Sequence, residues 1–263
     1  MEDFLKFKAI KMEELKKMNL SHEISSLINA VSSNEFVPVI NLIDVYENKR
    51  AFYANKYKDN DVRVMFFTKI LNAAYSYQLE RILINGLVDN DEKTRLFINN
   101  TGLSQVMNNW NTFKIAHNHY NAFTFYIRIF SCLESSIRKL IASVNAPQGF
   151  KPLSKICEPF ISTLNPDYKA LIELLSTIRN LMHTLGFPLI TKEIEYKKII
   201  YKFEENKLPE PKILNLINLL DLFEKDVLQF IEDLFNLRDF QNINFIEDDF
   251  SSDLSNFESW LKE

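Results

Sequence analysis

Ser176-Thr177-Ile178-Arg179-Asn180-Leu181-Met182-His183-Thr184-Leu185-Gly186-Phe187-Pro188 closes a helix whose two ends are both written into the sequence. Upstream, Asn165 is a good N-cap and Pro166 suits the first helical position; downstream, Gly186 and Pro188 stop the run. Between those stops Leu171, Leu174, Leu175, Ile178, Leu181 and Met182 recur at helical spacing and make one apolar stripe. Arg179 and His183 stand four residues apart, so they stack on one flank of the stripe, below Ile172 and Ser176. A cation and an imidazole at the rim of a buried face form the chain's leading candidate for chemistry.

Outward from this helix, almost every stretch repeats its helical period. Four glycines and eight prolines in 263 residues are few, which favours long helices over a turn-rich β protein. The run from Ala122 to Val144 is apolar nearly all round and reads as a central core helix, with Pro152 to Leu164 as a short helix after it. Lys212 to Asn236 reads as a long amphipathic helix. In the N-terminal half, helices are expected over 2–18, 21–32, Pro38–Lys56, Val62–Ile84 with Asp61 as cap, Glu92–Ile98, and Leu103 to about Ala116. Asn99-Asn100-Thr101-Gly102 reads as a stop, and Asn118-His119-Tyr120-Asn121 as the boundary between two halves. Only 193–203 departs from the pattern: Glu193–Tyr196 and Ile199–Phe203 are β-rich and suggest a small hairpin. The fold class expected is therefore all-α. A helical N-terminal region occupies 1–118, a bundle with a short β-hairpin insertion 119–238, and an acidic tail 239–263.

Composition narrows the function classes. Hydrophobic residues make up 46% of the chain, and 22 Phe with 10 Tyr supply large side chains for a core. Cys132 and Cys157 are the only cysteines and lie in apolar surroundings, as in a reduced protein, so a cytoplasmic location is expected. No run is long and apolar enough to suggest a membrane span. The net charge is −4, and residues 239–263 carry seven acidic residues against Lys262, leaving +2 for the rest. That excludes a broad nucleic-acid footprint but leaves room for a compact site gripping one or two phosphates. In the tail, Leu254, Phe257, Trp260 and Leu261 share a helical face and are expected to dock.

Arg179-Asn180-x-x-His183, followed by a short loop with Gly186 and Phe187, resembles the closing motif of HEPN domains, small helical bundles of which many are metal-independent RNases. The stretch Phe125 to Leu140, with Glu134 and Arg138, is similar to that family's earlier core helix. The resemblance covers roughly 119–236. The interval between Arg179 and His183 is three residues, shorter than the commonest one in the family, and Leu185 stands where the family often has Tyr. The resemblance implies a metal-independent endoribonuclease in bacterial host defence or a toxin-type role. RNA would be the substrate, two bundles would face each other in a homodimer, and a regulatory protein partner is possible in such a setting. The alternative it leaves open is a non-catalytic module binding a protein or nucleotide partner; a plain helical scaffold is the third.

The chemistry fits the residue types. Metal-free RNA cleavage needs a group that moves a proton at the ribose 2′-oxygen or the leaving 5′-oxygen, and fixed positive charge on the phosphate. Histidine supplies the first and arginine the second, so Arg179 and His183 are the catalytic candidates. Glu134 needs a cation, either Arg138 one turn on or Arg179 across the bundle; a salt bridge that orients Arg179 is the favoured role. Asn180 is expected to hold the loop after His183. No metal and no cofactor are expected: His117 and His119 point apart on a helix, and phosphate loops and paired-Cys spacings are missing. Trp110 and Tyr120 are read as packing residues rather than base stackers.

Overall fold

The computed structural model describes residues 37–84, 92–103, 109–144, 151–161, 163–184, 187–210, 213 and 215–248. The helices expected over 2–18 and 21–32, and the docking residues Leu254, Phe257, Trp260 and Leu261, lie outside the described residues.

The fold is mostly helical with one small antiparallel sheet. In chain order the elements are α1 (Val37–Ala54), α2 (Val62–Ile82), α3 (Glu92–Ile98), α4 (Trp110–Ala142), α5 (Leu153–Ile161), α6 (Asp167–His183), β1 (Lys192–Tyr196) and β2 (Ile199–Phe203). Then follow α7 (Leu216–Asp221), a π-helical segment (Leu222–Val227), α8 (Leu228–Phe235) and α9 (Arg238–Gln241). The chain divides into two compact units. One holds residues 1–39 and 75–122, the other 40–74 and 123–263.

In the first unit α3 covers the expected residues and passes directly into a π-helical segment, Asn99–Leu103, inside which Gly102 leaves the helical conformation. Thr101 Oγ1 donates to the Ile98 carbonyl at 2.7 Å, and Gly102 takes the left-handed conformation, φ 85°, that ends a helix cheaply only in glycine. The N-terminal part of α4 carries an aromatic run, with Trp110 on Phe113 at 5.6 Å and Phe113 edge-on to His117 at 5.8 Å. Trp110 is therefore a packing residue, whereas Tyr120 is exposed. The helix does not break at Asn118–Asn121, since α4 is one helix of 33 residues, although the two units divide close by, between Ala122 and Phe123. Asparagine disfavours helix by only about 0.5 kcal/mol per residue, and helical hydrogen bonding with apolar packing along α4 outweighs that.

The second unit holds the candidate site. Its centre is the C-terminal half of α4, where Phe125, Tyr126, Ile129, Phe130, Leu133, Ile137, Leu140 and Ile141 are all buried. The whole expected stripe of α6 is buried too. Buried tyrosine hydroxyls join neighbouring helices by finding backbone carbonyls. Tyr126 donates to Leu175 O at 3.1 Å, and Tyr46 donates to Phe223 O, inside the π segment, at 2.9 Å. Burial pushes both phenols well above their ordinary pKa, so they stay donors. The run 212–236, expected as one regular helix, widens at Leu222–Val227 into π turns and continues as α8.

A polar clamp ties α2 to the segment 238–248. Asp61 and Arg63 are both fully buried. Arg63 grips the carboxylate with Nε at 2.8 Å and Nη2 at 2.7 Å, and donates to the carbonyls of Phe240 and Ile243 at 3.1 and 3.0 Å. Asp61 also accepts from the backbone N–H of Arg63, as the expected cap, and from that of Ile246. The ring of Tyr57 lies 3.5 Å from the guanidinium. Further on, buried Asp248 takes Lys69 at 2.6 Å and Lys139 at 3.4 Å. The first ten residues of the acidic stretch are thus built into the bundle.

The hairpin forms where expected, in the register Tyr196↔Ile199 to Lys192↔Phe203. Its alternation turns Lys192, Ile194 and Tyr196 to one face together with Phe203, while Glu193 and Glu195 are exposed. The two-residue turn has φ 50° at Lys197 and 64° at Lys198, values that glycine or asparagine takes more easily. Lys197 is held by Asp226, whereas Lys198 is exposed. Lys198→Gly should relieve about 1 kcal/mol of steric cost and give back roughly half of it to unfolded-chain entropy. The expected result is a small rise in melting temperature by calorimetry; a fall would show that the turn is not strained.

Candidate functional site

α6 places the site because its ends are fixed. At the start, Asn165 Oδ1 accepts from the Asp167 N–H at 2.9 Å, and Pro166 already has helical angles, φ −59° and ψ −27°. At the end, the Thr184 N–H reaches the carbonyls of Asn180 and Leu181, and its hydroxyl bridges Leu181 O at 3.1 Å and Phe187 O at 2.5 Å. Thr184 therefore holds the loop after His183, the task expected of Asn180. The Asn180 side chain instead accepts from Arg179 Nη1 at 3.2 Å. An amide next in sequence can reach the guanidinium directly, which leaves the loop to the threonine.

Arg179 is half-buried and His183 is exposed, both on the wall of a groove of about 680 Å³. The groove is also lined by the loop Pro188-Leu189-Ile190 and by Lys192 and Phe203 of the hairpin. A second, smaller hollow of about 280 Å³ shares Thr177, Arg179, Asn180 and Lys192 with it and extends to Glu134, Ser154 and Glu173. Every one of these residues belongs to the same compact unit.

Charge in the groove is unevenly matched. Glu134 pairs with Arg138, whose Nη2 and Nε lie 2.6 and 3.0 Å from Oε1; Arg138 also donates to the Lys151 carbonyl at 2.8 Å. Glu134 thus does not orient Arg179. The residues sit i and i+4 on one helix, and this short local pair prevails over one across the bundle. Lys192 is matched by Glu173 at 2.6 Å. Arg179 has no carboxylate partner among the described residues, and its Nε is buried without any hydrogen-bond acceptor. An arginine that carries a desolvated, unpaired N–H is costly, on the order of 1–3 kcal/mol, unless something else supplies an acceptor.

Among the expected residues, the structure brings Arg179, Asn180 and His183 to one groove and sets Glu134 at its extension, with Arg138 behind Glu134. Lys192, Thr177, Leu189, Ile190 and Phe203 are additions that the sequence reading missed. The hairpin parity carried a signal for Lys192, since it shares the inner face with Ile194 and Tyr196. His117 and His119 lie on continuous helix α4, and no cluster of three or more His, Cys, Asp or Glu that could hold a metal occurs among the described residues. Burial raises the thiol of Cys132 to about 11 and that of Cys157 to about 12, which disfavours thiolate chemistry at either. No described helix is long and apolar enough to cross a membrane. No known family model, curated protein or solved structure matches the chain.

Proposed function

We propose that the chain is a HEPN-like, metal-independent endoribonuclease, with Arg179 and His183 as its catalytic pair and a host-defence or toxin-type role. The observation that carries the reading is Arg179 itself: a half-buried guanidinium with no carboxylate partner among the described residues, one helical turn from an exposed imidazole in an open groove. Such an arginine suits a phosphodiester, whose charge grows on the non-bridging oxygens as the ribose 2′-oxygen attacks phosphorus and the 5′-oxygen leaves. His183 moves the proton, either from the 2′-hydroxyl or to the departing 5′-oxygen. One pair per chain serves one of these two transfers, so the proposal includes a homodimer in which two grooves share a phosphodiester.

The experiment is RNA cleavage by the full chain with EDTA present, wild type against His183→Ala. Loss of acid–base catalysis should lower the rate by about 10²–10⁴-fold, while EDTA leaves the wild type unchanged and sedimentation finds a dimer at the assay concentration. Cleavage that survives the substitution, that dies with EDTA, or that belongs to a monomer overturns the mechanism. A second reading, a non-catalytic module binding a protein or nucleotide partner, is favoured by the exposed apolar side chains of Phe187, Leu189 and Ile190 around the groove. It expects partner binding that is intact in His183→Ala and no cleavage by the wild type.

A further inference from the structure

The apolar part of the groove's lining is unusual for an exposed loop. Leu189 and Ile190 are 71% and 65% exposed, side by side, yet the backbone that carries them is pinned at both ends. Phe187 O accepts from Thr184 Oγ1, Pro188 O accepts from the Asn206 N–H at 3.0 Å, and Thr191 Oγ1 accepts from the Glu205 N–H at 3.1 Å. Apolar side chains held out on a hydrogen-bonded loop are preorganised, so covering them costs little ordering entropy. They line the same groove as the Arg179 guanidinium, which has no carboxylate partner among the described residues, whereas the groove's other fixed cation, Lys192, is already neutralised by Glu173. Among the described residues the groove therefore carries one cation without a carboxylate partner, Arg179, together with the apolar ledge of Leu189 and Ile190. One charge suits the single negative charge of a phosphodiester better than a triphosphate, and branched aliphatic side chains beside it can cover the apolar face of a nucleobase.

We infer that Leu189 and Ile190 form a base-binding shelf, the specificity-determining part of the site, which accepts the base of a nucleotide whose phosphate lies on Arg179. This rests on the nuclease reading above. A base stacked in a duplex presents no free face to such a shelf, so the site selects nucleotides that are unpaired. Neither residue touches a reacting atom; they act by placing the nucleotide.

The test measures binding to the full chain carrying His183→Ala, which should bind without cutting. The probes are a ten-nucleotide single-stranded RNA, the same strand annealed to its complement, and an abasic ribose-phosphate decamer. The single strand should bind at least about tenfold tighter than the other two. Leu189→Ser with Ile190→Ser should remove about tenfold for the single strand and leave the abasic strand unchanged, with the melting temperature intact. The salt slope of log K should stay near −0.7 per phosphate gripped in both proteins, because the shelf carries no charge. Equal binding of abasic and normal strands, or a double-serine variant with unaltered affinity, overturns the shelf. Wild-type chain that cleaves RNA in EDTA without base discrimination sinks the shelf and keeps the nuclease; discrimination without any cleavage does the reverse.

Discussion

Arg63→Ala should lower the stability of the bundle by about 4 kcal/mol, because removing one partner strands a buried carboxylate. For a chain of this size that is a fall of roughly 10 °C in melting temperature. The loss has several parts: two charge-assisted bonds to Asp61, the bonds to Phe240 O and Ile243 O, and the stacked ring of Tyr57 all go together. Asp61 would keep only backbone donors, the N–H groups of residue 63 and of Ile246. Asp61→Asn should cost less than Arg63→Ala, since the amide still caps α2 through its oxygen. The double variant Asp61→Asn, Arg63→Ala should cost less than the two single changes summed, since no charge then remains buried. Denaturant melts of the four proteins check this; additive losses would mean that the two side chains do not act as a pair.

Arg179 is the second position with a large expected effect, and here activity and stability should move in opposite directions. Arg179→Met keeps the packed stem of the side chain and removes the guanidinium. Cleavage should drop by about 10²–10³-fold, the usual effect of deleting one group that stabilises transition-state charge. The buried N–H without an acceptor disappears with it, so the variant should be more stable by about 1 kcal/mol, or roughly 2–4 °C. Arg179→Lys retains the charge without the planar fork and should recover part of the activity. Melting temperature and single-turnover rate on the same preparations give both readings. An Arg179→Met protein that is inactive because it melts lower would show that the arginine is structural.

The helices were legible wherever one signal dominates. The α6 stripe, its Asn165 cap, the stop at Gly102 and the hairpin all follow from local spacing and turn chemistry. What stayed hidden depends on residues distant in sequence. Asn118 to Asn121 look like a break, yet α4 runs through them, because propensities of tenths of a kcal/mol yield to packing. Asp61 and Arg63 are two apart, a spacing that does not face on a helix; they meet because Asp61 precedes α2 and its carboxylate turns back over the first turn. The groove is assembled from a helix, a loop and a hairpin, so Arg179 and His183 could be named from the motif spacing, whereas the apolar ledge in the same groove could not.

The clamp on α2 also bears on how the chain is made. Arg63 and Lys69 find their partners at Ile243 and Asp248, 180 and 179 residues later. At a synthesis rate of about 5–20 residues per second, the ribosome needs on the order of 10–40 s to deliver those partners. Until then α2 presents Lys69 and bare aromatic rings to solvent, and the nascent bundle cannot close around them. Contacts of such long sequence separation also make refolding slow. Arrest of translation before residue 243 should therefore leave a nascent chain that proteases cut readily within α2.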